Sequence, residues 1–203
     1  MFAVFVSIPL LLFPTMSVPV QDTCGVQPVA ATAVEAPILE AFNQRIDAYM
    51  RVHNDVERRL PAKWLFDDSE DMFDAIEAMQ SGIRAARYGR AGAILTDEIG
   101  VLIRARLQAR LTACALTVEQ VLAFINEERL PRAPKPTIHE PFPWSLGSAM
   151  PAALLPALPP LPGELQYRFA DRDLVLIDIH ADLVVDILKN ALPVPSRRWS
   201  RRQ

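Results

Sequence analysis

A chain of 203 residues, 51% of them hydrophobic, can bury one real core without staples, and its length points to a single domain. Its 24 acidic and 21 basic side chains leave a net charge of −3, too near neutral for a dedicated nucleic-acid binder. Seven glycines and no Gly-rich phosphate loop argue against a nucleotide enzyme.

Residues 1–20 carry no charged side chain, and Phe2 to Phe13 is almost wholly apolar. That run has the length of a signal-peptide hydrophobic region and is shorter than the roughly twenty residues a spanning helix needs. Pro9, Pro14 and Pro19 disfavour a long continuous helix. Residues 1–20 are therefore expected to be an export signal, with an uncleaved membrane anchor as the alternative. The first basic residue is Arg45, so the usual basic start is missing. Thr15-Met16-Ser17, Thr23-Cys24-Gly25 and Ala31-Thr32-Ala33 each offer small residues for cleavage. The address implied is periplasmic or secreted, or anchored at the membrane. Transient membrane contact would run through the N-terminal segment.

Cys24 and Cys114 can pair in an oxidising compartment. Cys24 can also leave with the signal, and the favoured reading keeps Cys114 as a lone, small, structural hydrophobe. Residues 21–36 are small, polar and Pro-containing, as in a flexible tether.

One domain is expected over 37–193, with helices over 37–130. Leu39, Phe42, Ile46, Tyr49, His53, Val56 and Leu60 recur at spacings of three and four, one stripe along a helix that Pro61 stops. Asp67, Asp68, Glu70 and Asp71 suit the positive end of a second helix dipole. Its apolar side is Met72, Phe73, Ile76, Met79 and Ile83, and Gly89 or Gly92 ends it. Thr96 is placed as the cap of a third helix with Ile99, Leu102, Ile103, Leu107 and Leu111 inward. Thr117-Val118-Glu119-Gln120 reads as a capping box for a fourth. Short links make a four-helix bundle the expectation.

Residues 131–163 hold ten prolines, too many for regular sheet or a long helix. Phe142, Trp144, Leu146, Leu154, Leu155, Leu158 and Leu161 are too apolar for a free linker, so this segment is expected to wrap across the helices, with a short helix around 148–158. Residues 164–190 switch to period two. Leu165–Phe169, Leu174–Ile179 and Leu183–Leu188, separated by polar turns, predict a three-stranded antiparallel meander. A helix over 183–192 is the alternative. Residues 194–203, with four arginines and Trp199, read as a loose basic tail. The fold class is α+β.

Tyr49-Met50-Arg51-Val52-His53, followed by Val56-Glu57 and Leu60-Pro61, forms one distinctive stretch. A second runs from Leu158-Pro159-Pro160-Leu161-Pro162 through Tyr167-Arg168-Phe169 and Arg172-Asp173-Leu174 to Ile179-His180-Ala181-Asp182-Leu183-Val184-Val185-Asp186. Together, over roughly residues 38–193, they resemble a group of exported bacterial proteins with no assigned activity. The resemblance implies the bacterial envelope and transfers no functional residue.

Candidate chemistry is sparse. Asp178, His180 and Asp182 lie at i, i+2 and i+4 and would face one side of a straight strand, and a His with two carboxylates can hold a divalent metal. Asp178-x-His180 resembles part of a metallophosphatase motif, whose glycines and later Asn and His ligands are absent. The plainer reading makes His180 and Asp182 turn residues and Asp178 a solvent-facing strand position. His53, one turn after Tyr49 on the apolar stripe, is read as a hydrogen-bonded core residue, or else as a contact to the Pro-rich segment or the meander. His139 is a further conceivable ligand. Arginines 84, 87, 90, 104, 106 and 110 are expected to be balanced by the acids at 67, 68, 70, 71, 74 and 77. There is no Gly-x-Ser-x-Gly and no cysteine with a catalytic signature. Neither catalytic residues, nor a metal, nor a cofactor is assigned, and no nucleic acid is expected as partner. The reading is a non-enzymatic module that binds a protein or another envelope component. Its alternative is a small exported hydrolase or metal-dependent enzyme built on His53, Asp178, His180 and Asp182.

Overall fold

The computed structural model of the chain describes Cys24 and residues 30–60, 69–89, 93–147 and 150–194. The expected signal or anchor, most of the tether, Asp67, Asp68, Gly92 and the arginine-rich tail lie outside the described residues. The fold is α+β. Helices α1 (Ala36–Glu57), α2 (Ser69–Ala86), α3 (Asp97–Ala113) and α4 (Val118–Ile125) come first. Two 3-10 turns, Trp144–Leu146 and Ala152–Ala157, follow. The chain then forms an antiparallel sheet of β1 (Leu165–Ala170), β2 (Asp173–Asp178) and β3 (Leu183–Leu188), in the order β1-β2-β3. No helix among the described residues is long and apolar enough to cross a membrane.

The α1 stripe is buried as its period requires: Phe42, Ile46, Tyr49, His53 and Val56 all face inward. α1 packs on both α2 and α3. A Cβ on Gly82 of α2 would stand 2.5 Å from Val56 Cγ1, so glycine permits the close approach of α2 to α1. Met79 and Ile83 flank that point and are fully buried. Met72 and Phe73, expected inward, are exposed by 37% and 64%. Periodicity names the face of a helix, but not how far along it the neighbour extends.

All five apolar residues expected to face inward on α3 are buried. Thr96 takes the N-cap position, but its hydroxyl makes no cap bond. The capping box at Thr117 and Gln120 of α4 is present with both of its hydrogen bonds.

Strand β2 is buried continuously from Leu174 to Asp178, because the sheet is covered on both faces. Leu174 and Leu176 join the main core with the helices. Val175 and Ile177 pack with Phe142 and Leu146 in a second cluster on the opposite face. Part of the Pro-rich segment therefore lies on the sheet rather than across the helices. His139 N–H donates to Val184 O, and Val184 N–H donates to Glu140 O. Ala152–Ala157 instead packs on α3. Residues 183–188 are strand, not helix.

Cys24 and Cys114 form a disulfide across a separation of 90 residues, which corrects the lone-cysteine reading. That reading rested on early loss of Cys24. A closure of this length is worth about 4–5 kcal/mol in the chain-entropy picture.

Candidate functional site

Tyr49, His53 and Glu57 stand at i, i+4 and i+8, so α1 presents all three on one face. That face meets the end of β2, where Asp178 is completely buried. Asp178 is thus not the solvent-facing residue that an alternating strand implies; with both faces covered, no position in β2 beyond Asp173 reaches water. Four donors converge on its carboxylate. Tyr49 OH and His53 Nδ1 each lie 2.6 Å from Oδ2. The backbone N–H groups of His180 and Ala181 donate to Oδ1 at 3.0 Å. These bonds offset the cost of removing a charge from water.

The neighbours shift accordingly. Burial drives the Tyr49 hydroxyl well above its usual range, and the Asp178 charge adds to this. Arg87 lies 4.9 Å from the centre of the Tyr49 ring and works in the opposite direction. For His53, burial opposes the charged form, but the hydrogen bond and charge of Asp178, with Glu57 and Glu164, raise its proton affinity overall. Asp178 occupies Nδ1 as acceptor. Nε2 is left buried without a hydrogen-bond partner among the described residues. Glu57 Oε2 is 3.8 Å from it. The second Glu57 oxygen is 3.7 Å from His180 Nδ1, and the two imidazole rings are 5.6 Å apart. One ligand atom from each of His53, Glu57 and His180 lies within 4.8 Å of the others.

The other sequence candidates fall elsewhere. Asp182 does not line up with Asp178 and His180, because the strand ends at Asp178 and Asp182 turns the chain at φ 44°. Its carboxylate accepts from Trp144 Nε1 at 2.8 Å. Burial raises the Asp182 pKa, and the Trp144 bond partly counters that. His139 lies beside Arg84, whose Nε donates to its carbonyl at 2.6 Å. Burial, then Arg87 and Arg84, lower its pKa. Three of the helix arginines hold groups outside α2. Arg106 holds Glu35, Arg104 binds the carbonyls of Lys189 and Asn190, and Arg110 binds that of Ala153. Arg90 lies outside the described residues. Glu57 was legible only as the i+4 partner of His53. Asp186 gave no local signal at all; it is fully buried and accepts from the N–H groups of Ile94, Leu95 and Ile187, each at 2.8 Å.

A second feature is a groove of about 520 Å³ between the Pro-rich segment and β1. Met150, Leu155, Leu158 and Leu161 line one wall, and Tyr167 and Arg168 belong to the other. Arg168 bonds Tyr167 O and Gln166 Oε1, while its Nε has no partner among the described residues. Burial lowers the Arg168 pKa.

No protein-family model, curated protein or solved structure matches the chain.

Proposed function

We propose that this protein is exported to the bacterial envelope and works by binding, with a single-chain anionic amphiphile as its ligand. The groove between the Pro-rich segment and β1 carries the reading. Its volume falls within the range of small-ligand sites, its lining is almost wholly apolar, and one cation, Arg168, stands at its wall. An apolar chain would lie along Leu155, Leu158 and Leu161. An anionic head beside the Arg168 guanidinium would relieve a partly desolvated charge. Export is supported by the charge-free apolar start and by the disulfide, which needs an oxidising compartment to persist. Cleavage near Ser17 retains Cys24, and cleavage after Ala33 discards it. The finer architecture in this reading is a four-helix bundle with the Pro-rich segment as a wrap, in keeping with the resemblance to exported bacterial proteins.

Calorimetric titration of the oxidised protein with decanoate, and with decanol as the uncharged counterpart, tests the assignment. Decanoate should bind saturably at one site. Arg168→Gln should weaken it roughly ten-fold, the value of one charge-assisted hydrogen bond, and leave decanol unaffected. Leu155→Asp, at a half-exposed wall position, should abolish both. Absence of saturable binding rejects the reading.

One observation favours the alternative of a small exported hydrolase or metal-dependent enzyme: His53 and His180 converge with Glu57. Metal-dependent turnover of simple esters or phosphoesters, lost in His180→Ala, would establish it. Asp178 and Asp182 take no ligand position in that case, since both carboxylates are engaged internally.

A further inference from the structure

We propose that His53, Glu57 and His180 form a binding site for a divalent transition-metal ion of the zinc class, with Asp178 holding His53 in place from behind. The site is separate from the groove and does not depend on what the groove binds.

Three independent features support it. The first is chemical. Two imidazoles and one carboxylate suit zinc and its neighbours, and not calcium or magnesium. The second is geometric. Ligand atoms around a tetrahedral zinc, with bonds of about 2.1 Å, are about 3.4 Å apart. The three side chains already place ligand atoms within 4.8 Å of one another. Closing the remainder asks for movements of about 1 Å. Glu57 and His180 are 34% and 43% exposed, so both have room to make them.

The third feature decides between a metal site and a chance surface cluster. His53 is wholly buried, and its Nε2 has no hydrogen-bond partner among the described residues. A buried polar atom without a partner costs about 1–3 kcal/mol. Asp178 accepts the proton on Nδ1, which leaves the lone pair of the neutral ring on Nε2, facing Glu57 and His180. A carboxylate behind a ligating imidazole is the usual arrangement at such centres, where it fixes the tautomer and the ring plane. The carboxylate is itself fixed by Tyr49 and by two backbone N–H groups. Glu164 also lies within electrostatic reach of His53, so the surroundings favour a cation. A metal bound to these three ligands would keep a coordination position open to water, because two of the three are half-exposed.

The test uses the full oxidised chain, stripped of metal by a chelator and dialysed. Zn²⁺ is titrated in competition with a chromophoric chelator, and Co²⁺ is followed by its visible absorption. One equivalent of Zn²⁺ should bind with an affinity of roughly micromolar or tighter. Co²⁺ should develop the visible bands of a low-coordinate site. His180→Ala and Glu57→Gln should each weaken Zn²⁺ by at least about ten-fold and erase the Co²⁺ bands. Circular dichroism should stay unchanged in both variants, since the residues are half-exposed. Substoichiometric zinc, or zinc held equally by both variants, would overturn the proposal.

Discussion

Asp178 and Asp186 sit in neighbouring strands, both fully buried, and they meet the same physical problem in two ways. A carboxylate removed from water must be surrounded by donors. Asp186 finds three, all backbone N–H groups, and so staples the loop before α3 to the sheet. No titratable side chain is among those donors. Asp178 finds four, and only two are backbone. The other two belong to Tyr49 and His53, and beyond His53 stand Glu57 and His180 at the surface. One carboxylate ends a network inside the protein. The other begins one that reaches solvent, and that difference separates a structural aspartate from one placed behind a site.

The largest expected effect breaks the closed network. Asp186→Ala leaves the buried N–H groups of Ile94 and Leu95, and the partly buried one of Ile187, without this acceptor, at about 1–3 kcal/mol for each buried group. Urea unfolding should register a loss of about 4 kcal/mol or more, or the variant should not fold. Where it folds, Zn²⁺ affinity should be unaltered. A parallel loss of zinc binding would mean the two carboxylates are not separable in the way described.

Asp178→Asn sharpens the contrast with a smaller cost in stability and a larger one in chemistry. The amide oxygen can still accept from His180 and Ala181, so the turn between β2 and β3 keeps its bonds. The NH2 group then faces Tyr49 and His53. Tyr49 OH can rotate to accept, and the imidazole can accept at Nδ1 by moving its proton to Nε2. That tautomer has no lone pair to offer a metal. Stability should fall by about 2 kcal/mol, as one charge-assisted network becomes neutral. Zn²⁺ affinity should fall roughly 100-fold. Nitrogen NMR of the His53 ring reports the tautomer directly. Retention of a protonated Nδ1 in the variant would contradict the account.

Much of the frame around these residues was readable in advance. The α1 stripe put His53 on the buried face because 3.6-residue periodicity is local. The meander was readable from period-two runs between polar turns. What joins the two was not. His53 and Asp178 are 125 residues apart, and no local pattern reports that a helix face and a strand end will meet. The burial of Asp178 ran against its sequence pattern for a related reason. A strand covered on both faces loses the alternation that marks a solvent-facing position: α1 covers the face that carries Asp178, through Tyr49 and His53, and the remote Phe142–Leu146 stretch covers the other. The Cys24–Cys114 pairing was open for the same cause, since it depends on where distant segments lie.

A third carboxylate, Glu35, shows the surface counterpart of both buried ones and yields the smallest effect. Arg106 donates to both of its oxygens, and Thr32 N–H donates to one. The Arg106 hydrogen bond, followed by that from Thr32, lowers its pKa from the usual 4.5 to about 2. A carboxylate whose pKa is depressed by folding stabilises the fold above its unfolded pKa. That contribution fades as pH falls from about 4.5 and is gone below about 2. Glu35→Gln should therefore leave the acid limb of the thermal-stability profile flatter between those limits, with the curves of variant and parent converging at the acid end. Glu35 keeps part of its surface in water, which screens the pair, so the separation between the curves near neutral pH should be small beside that of the two buried carboxylates. A separation as large as that of Asp186→Ala would show that the strap from Thr32 to Glu35 is part of the core rather than laid against it.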